Sequence, residues 1–538
     1  MNQRARPLLI SGVALVLLSL SLVAGPSAAG PLPDTVPSWR LLGPRRGSSG
    51  TLLPAIRRGP LTPLRGAILA RLHRVNGGGT DSRRDGSPSS TARAPATGSF
   101  DTITAGAAGP VASPGDPTGA LGQSFSVVAV NKAVAVFDRT GLAVFGPARL
   151  RGLYGNLPTG QDTDPKVVYD AYDDEFVLVF LLYSRAASNL VMVSIPGATA
   201  DQKGTWCPLI MSGDQVRGNG LQQADYPGLG FTQDRVALST NSFDASGRRL
   251  EYSQIVSIKK SQLYDCNGVP KLTVFAGRST RDPDGSAAST IQPAVTVGGS
   301  SPTTQYLASF DWNGPDRASD LVVWRLAETA GGLKLARTAL RVGKVAIPPW
   351  GRQCGADPGS SNAWWDTGDL RLTSAFYDAD VGRLYSAHAV KASFAGGSAG
   401  SAVRWYEVAP SPTLSSSSVS RKGLIGGTDL FAAWPSVATD GGDTLFVDYS
   451  EAAHSGRECL SIVAATVPPG SNVPSSASIH SGDARYEYAS GPERWGDYSA
   501  ISRDPTDPTQ MALFNAYASS DGAPPTPLFQ AYEALVHA

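Results

Sequence analysis

Acids, rings and amides recur together along this 538-residue sequence, most densely at Arg494-Trp495-Gly496-Asp497-Tyr498-Ser499. Such neighbours suit a carbohydrate: sugar C–H faces stack on rings, while hydroxyls need paired donors and acceptors. They equally suit a protein contact, where Trp and Tyr dominate the energetics. The candidates of this type are Asp225, Tyr226, Asn241, Asp311, Trp312, Trp364, Trp365, Asp369, His388, Trp434, Tyr449, Trp495, Asp497 and Tyr498. Glycoside hydrolysis needs two carboxyl groups about 5 to 9.5 Å apart, and Asp448, Glu451 and Asp497 are the acids placed to supply them. A plainer role competes for each acid, because an Asp that leads into a strand often accepts backbone N–H bonds in a turn. The five His (His73, His388, His454, His480, His537) include no pair at ligand spacing, which argues against catalytic zinc. Carboxylates and carbonyls are able to hold Ca²⁺, yet no EF-hand or nonapeptide repeat is present. No cofactor is expected.

The elements that must position these residues form a repeat. One order of features recurs: a polar or aromatic lead-in with Asp or Pro, a short apolar strand, a polar turn, a second strand, and often a third. It begins near Asp116, Asp164, Asp225, Gln292, Asp369, Trp434 and Asp497, at intervals of 48 to 77 residues. These intervals are long for a four-stranded blade of roughly 40 to 50 residues, as elaborated loops would make them. Third strands read as "NLVMVSIP", "EYSQIVSIKK", "DLVVWRLAE", "AVRWYEVAP" and "ECLSIVAATV", alternating or β-branched, and helical periodicity is nearly absent. A pair of β-sandwiches would not explain one lead-in recurring at long spacing. The expected fold is therefore all-β, a seven-bladed β-propeller of four-stranded antiparallel blades over residues 99–538. The last repeat lacks an outer strand, and "SFDTITAG" at 99–106 has no other sheet to join, so it is predicted to close the ring. In this architecture the lead-ins and the loops between second and third strands share one mouth of the central channel, where the candidates above would gather.

The termini and the cysteines bear on location. Residues 1–29 have a basic start, an apolar run and a small-residue exit at Ser27-Ala28-Ala29, which reads as a signal peptide cleaved near Ala29. Residues 30–98 are dense in Pro, Gly, Ser and Arg without apolar period, so they read as a disordered linker or pro-segment. Residues 1–98 carry thirteen Arg against Asp34, Asp81 and Asp85, which leaves the remainder near −9 and without a nucleic-acid footprint. No later segment is long and apolar enough to span a bilayer. Cys207, Cys266, Cys354 and Cys459 form no metal-like spacing, and in an exported protein they are expected to make two disulfides. Of three possible pairings, Cys207 with Cys266 and Cys354 with Cys459 is preferred, because each links neighbouring repeats. A secreted monomer whose partner is a glycan or an extracellular protein is the resulting expectation.

The stretches "DPTGALGQSFSVVAVNKAVAVFDRTG", "DTDPKVVYDAYDDEFVLVF" and "RWGDYSAISRDPTDP" resemble those of large secreted bacterial propellers of the sialidase-like, BNR-repeat superfamily, over residues 99–536. The resemblance implies the fold and leaves activity open, because that superfamily holds glycosidases, lectin-like binders and members without assigned function. Sialidases carry a Phe-Arg-Ile-Pro motif, an arginine triad, an Asp acid/base and a Tyr/Glu nucleophile pair. Here the motif is missing, and "DADVGRLY" is a degenerate Asp box in which Asp380, Gly382 and Tyr385 fit while Asp378 replaces Ser. Arg217, Arg371 and Arg494 lie near lead-ins as a possible triad. Three converging arginines would favour a sialidase-like glycosidase; an aromatic, arginine-poor mouth would favour a non-catalytic binder.

Overall fold

Strand-forming residues dominate wherever the chain is described, and the runs differ by place. Middle strands such as Glu175–Tyr183 (EFVLVFLLY) are apolar almost throughout and buried on both faces. Outermost strands such as Gly332–Lys344 and Ser418–Ile425 alternate between exposed and half-buried positions. Continuous apolar runs suit strands covered on both faces, and alternation suits an edge facing water. The computed structural model describes residues 56–57, 98–109, 113–184, 188–216, 223–244, 247, 249–314, 317–355, 364–394, 397–453, 458–488, 493–520 and 528–538. The expected signal peptide at 1–29, nearly all of the linker at 30–98, and Arg217, His73 and His454 lie outside the described residues.

Antiparallel four-stranded sheets follow one another along the chain, and each is named here by its place. The first runs Thr118–Leu121, Phe125–Val130, Ala133–Asp138, Ala143–Arg149; the second runs Gln161–Asp170, Glu175–Tyr183, Ser188–Pro196, Cys207–Ser212, with Ile56–Arg57 added at its edge. The third comprises Gln223–Phe231, Arg235–Phe243, Leu250–Lys259, Leu272–Ala276, and the fourth Gln292–Pro293, Gln305–Asp311, Ala318–Thr329, Gly332–Lys344. The fifth is Ser374–Asp378, Arg383–Ala392, Gly400–Ala409, Ser418–Ile425, and the sixth Leu430–Thr439, Leu445–Ala453, Cys459–Val467, Ser475–Gly482. Val295–Val297 pairs in parallel with Phe231 and with Phe376–Asp378, so the third and fifth sheets are continuous through it. The seventh contains Ala500–Arg503, Gln510–Ser519 and Leu528–His537, and its fourth strand is Gly98–Thr104, with Gly98 opposite Leu535 and Asp101 opposite Tyr532. The segment before the first repeat thus supplies the outer strand of the last one.

First strands touch in a closed cycle. Thr118–Leu121 meets Gln161–Asp170, which meets Gln223–Phe231, and the series continues through Gln292–Pro293, Ser374–Asp378, Leu430–Thr439 and Ala500–Arg503 back to Thr118–Leu121. Sheets stacked radially around such a cycle form a β-propeller. The core lies in wedges between successive sheets: Val127, Val134, Leu178 and Val193 fill the one between the first and second, and Leu181, Met192, Leu238 and Val256 the next. Two disulfides staple neighbouring repeats. Cys207 at the edge of the second sheet joins Cys266 beyond the third strand of the third, and Cys354 before the fifth joins Cys459 in the sixth.

Turns between first and second strands lie at the end of the sheets away from the lead-ins. Asp378, Asp440 and Asp504 each accept backbone N–H bonds two residues on, from Asp380, Gly442 and Thr506. Arg503 binds Asp378 and Arg139 binds Asp504, tying these turns between sheets. The degenerate Asp box is one of these turns: Asp380 accepts from Gly299 N (2.8 Å), and Tyr385 donates to Asp443.

Candidate functional site

Lead-ins adopt an unusual backbone that aims their side chains. Asp116, Asp164, Tyr226 and Trp434, each directly before a proline, have φ of +50, +51, +53 and +57°, and Gly368 has +86° at the corresponding turn of the fifth repeat. Bulky residues at positive φ are strained, and proline withholds a ladder donor. The register shifts at three of these steps, between Thr163 and Lys166, Asp225 and Gly228, and Ala433 and Ser436. A bulge bends the strand and re-aims a side chain, and here it turns successive lead-ins toward the axis. A Cβ at Gly368 would lie 2.8 Å from the Trp434 ring, so that close approach requires glycine.

Contacts between sheets that are not neighbours in the cycle locate the axis. Tyr226 of the third repeat donates its hydroxyl to Asp497 O of the seventh (2.6 Å), and the Tyr226 and Tyr498 rings meet edge to face at 5.6 Å. Lys166 of the second sheet places Nζ 3.3 Å from the Tyr498 ring centroid, and the Arg371 guanidinium of the fifth repeat lies 4.6 Å from that of Tyr226. Around these rings stand Asp116, Asp164, Asp225, Asp366, Asp369 and Asp497, with Lys166, Arg371 and Arg494 as cations.

This cluster has a floor and a rim. On the floor Asp116, Asp164, Lys166, Tyr226 and Tyr498 are buried. Asn131 binds two lead-ins together: its Nδ2 donates to Asp116 Oδ2 (2.6 Å), and its Oδ1 accepts from Asp164 N (2.7 Å). Asp116 Oδ1 accepts from Asp497 N (2.8 Å), and Asp164 accepts from Thr163 Oγ1 (2.6 Å). The Tyr498 hydroxyl is buried without a hydrogen-bond partner among the described residues, and Asp164, Asp116 and Asp497 act on it electrostatically. On the rim Arg494 grips both oxygens of Asp497 (2.6 and 2.7 Å), and Arg371 grips both of Asp369 (2.7 to 3.0 Å). One member of each pair is open to solvent, Arg494 at 45% and Asp369 at 48% exposed, while Asp497 and Arg371 are half-buried.

Burial and mutual charge set the protonation states. Burial, with Asp497 and Asp164 nearby, pushes the Asp116 carboxyl well above its usual value, and burial raises Asp164 and Asp366. Asp225 is pushed to about 7 by burial and by Asp164, against the pull of Arg371. Burial lowers Lys166 to about 7 although Asp116, Asp164 and Asp497 hold it up. Burial works upward on Asp369 too, but Arg371 holds it below the ordinary carboxylate value. Perturbed groups of both signs converging in one place are the mark of a functional site. One carboxyl poised to carry a proton at neutral pH thus shares Arg371 with Asp369, a carboxylate that this arginine keeps ionised.

Of the residues singled out by sequence, Asp225, Tyr226, Asp369, Asp497 and Tyr498 meet at the axis. Trp434 borders it, donating Nε1–H to Asp366 O (3.0 Å). Trp365 and Trp495 are packed in the hydrophobic core, Trp495 donating to Ser450 Oγ (3.0 Å), and Tyr449 is buried between sheets. Trp364 is half-buried with the Arg352 guanidinium over its ring. Asn241 bonds Thr290 N and Thr290 Oγ1 (2.6 and 2.9 Å), a tie between repeats like that of Asn131. His388 is enclosed between Leu370 O and the Tyr406 hydroxyl, and burial lowers it to about 4. Asp311 stands apart, at a cleft of about 370 Å³ lined also by Asp284, Asn313, Asp320 and Arg341, and Trp312 packs against the core, donating Nε1–H to Val345 O (3.1 Å). A surface groove of about 570 Å³ between Ala339–Arg341 and Ser418–Lys422 is likewise remote from the axis.

The acids proposed for hydrolysis sit in different surroundings. Asp448 is fully buried against Asn515, Ser499 and Ser436, and burial raises it to about 7. Glu451, raised to about 8 by burial, responds to Glu458. Asp116, Asp164, Asp366 and Lys166 are the axial residues absent from the sequence candidates. For Asp116 and Asp164 the signal was present in the lead-in Asp-Pro pairs, whereas Lys166 reads as an ordinary strand lysine. Among the described residues no three His, Cys, Asp or Glu side chains are grouped to hold a metal ion.

No protein-family model matches the chain, and no characterised protein matches its sequence. Solved structures with a similar course include a protein of unknown function from Dyadobacter fermentans, at 10% identity over 70% of this chain and 94% of that one, with a TM-score of 0.38. A mutant of Trypanosoma rangeli sialidase displaying trans-sialidase activity is 12% identical over 75% of this chain and 57% of its own, TM-score 0.35. The GH93 alpha-L-arabinofuranosidase of Fusarium graminearum is 8% identical over 82% and 98%, TM-score 0.36. Similarity at this level carries no argument about activity.

Proposed function

We propose that this chain is an exported seven-bladed β-propeller that binds a glycan at the mouth of its central channel. The closed cycle of first strands supports the blade count, and the two disulfides support an oxidising compartment. The observation that carries the binding reading is the convergence at the axis of charged side chains from five repeats, with partly exposed Arg494–Asp497 and Arg371–Asp369 pairs on the rim. Paired guanidinium and carboxylate groups offer donors and acceptors side by side, which is what vicinal hydroxyls require. A protein ligand has less support, because Trp365, Trp434 and Trp495, the large anchors such a contact would use, are buried.

Glycoside hydrolysis is the second reading, and Asp225 favours it. A carboxyl titrating at about 7 near an ionised one is the division of labour that acid-assisted glycoside cleavage uses. A glycan array alongside a panel of chromogenic glycosides, run on the native protein and on Asp497→Asn, tests both readings. Binding lost in the variant without turnover in either protein supports the binder; turnover abolished in the variant supports the hydrolase. Binding and turnover absent from the native protein would end both.

A further inference from the structure

The axial mouth has more carboxyl groups than cations to pair with them. Six carboxyl groups share the site with three cations, and the cations on the rim are already committed: Arg494 holds both oxygens of Asp497, and Arg371 both of Asp369. The third cation, Lys166, is buried against the face of Tyr498. Asp225, half-buried beside Asp164 and Asp497, makes no charge-paired hydrogen bond to any of the three. Below it, the Tyr498 hydroxyl is buried beside Asp164 and Asp116 with nothing among the described residues to bond. Two tyrosine faces in the same place already lie against cations, Tyr498 with Lys166 and Tyr226 with Arg371.

We infer that the mouth takes a sugar bearing a free ammonium group, a glucosamine-type unit, in preference to its N-acetylated form and to sugars bearing a carboxylate. An incoming carboxylate has to open one of the two arginine pairs, and the Asp it releases is then left among like charges. A neutral sugar leaves the pairs intact and gains only hydrogen bonds. An ammonium group meets Asp225, the carboxyl without an arginine of its own, which ionises against it, and charge-assisted bonds of this kind are stronger than neutral ones. The inference rests on the axial binding reading and specifies its ligand.

Titration calorimetry with a glucosamine tetramer, the N-acetylglucosamine tetramer and a galacturonate tetramer is the test, on the native protein, Asp225→Asn, Asp497→Asn and the surface control Lys334→Gln. The ammonium-bearing tetramer is expected to bind about tenfold or more tighter than the N-acetylated one. Galacturonate is expected to bind weakest of the three. Asp225→Asn should narrow the first gap to about threefold or less, as should high salt, while Lys334→Gln changes nothing. If Asp225→Asn melts below the native protein, Asp225→Ser replaces it. Equal affinities, or galacturonate binding best, with Asp497→Asn weakening every ligand, would overturn the charge preference and leave the axial site standing. Binding unaffected by Asp497→Asn, or absent for all three, would overturn the axial reading and this inference together.

Discussion

At the scale of single residues, the account turns on which side chains reach water and which are packed away. Trp495 is 4% exposed, edge-on to Tyr486 at 5.1 Å and bonded to Ser450, so Trp495→Ala should lower stability by about 3 to 5 kcal/mol and leave ligand contacts in place. Asp497→Asn should do the reverse, costing about tenfold in affinity with little change in melting, since it loosens the Arg494 pair on the rim. Denaturant melts and titrations on the two variants check both halves. Asp225 makes a pH-dependent forecast. Its folded carboxyl is raised to about 7 above an ordinary 3.8, so it favours the folded state fully below 3.8 and that contribution is lost as pH rises to 7. Asp225→Asn should therefore match the native melting temperature near pH 4 and exceed it near pH 8; a deficit at pH 8 would contradict the assignment. Much of this was legible only in part. Asp225, Asp369 and Asp497 announced themselves as acids at lead-ins, whereas the tryptophans beside them read as platforms because sequence does not show that a ring at a strand's start packs between sheets. Lys166 gave no signal, since its partner Tyr498 lies in another repeat far along the chain.

Elements were easier to read than side chains. Apolar runs, polar turns and recurring lead-ins mark strands whatever their neighbours, so the repeat order and the closing role of 99–106 are visible in the sequence. Left-handed lead-ins and their bulges were not, because Asp-Pro and Trp-Pro dipeptides are compatible with plain extended chain. The closing strand supplies a prediction at this scale. Removing residues 1–97 deletes only the short Ile56–Arg57 pairing from the described sheets and should move the melting temperature little. Removing residues 1–108 also takes away Gly98–Thr104, exposing the edge of Leu528–His537 and the Phe100–Phe137 contact, and should lower it by several degrees. Identical melts for the two truncations would contradict the closure.

For the whole molecule, stability depends on successive sheets covering one another, and the disulfides bridge such neighbours across 59 and 105 residues of sequence. Replacing either pair by Ser should cost about 2 to 4 kcal/mol, read from urea unfolding under oxidising conditions. The same ring that buries the sheets forces five lead-ins onto one axis, so a charged mouth is a product of the architecture and not of any one repeat. Its central consequence is that ligand binding and the axial carboxylates stand or fall together. The most direct measurement is a calorimetric titration of the native protein and Asp497→Asn, with matched melting curves, using the tightest glycan found on an array. A loss of about tenfold or more at unchanged stability is the predicted result; unchanged affinity in a folded variant would contradict an axial glycan site.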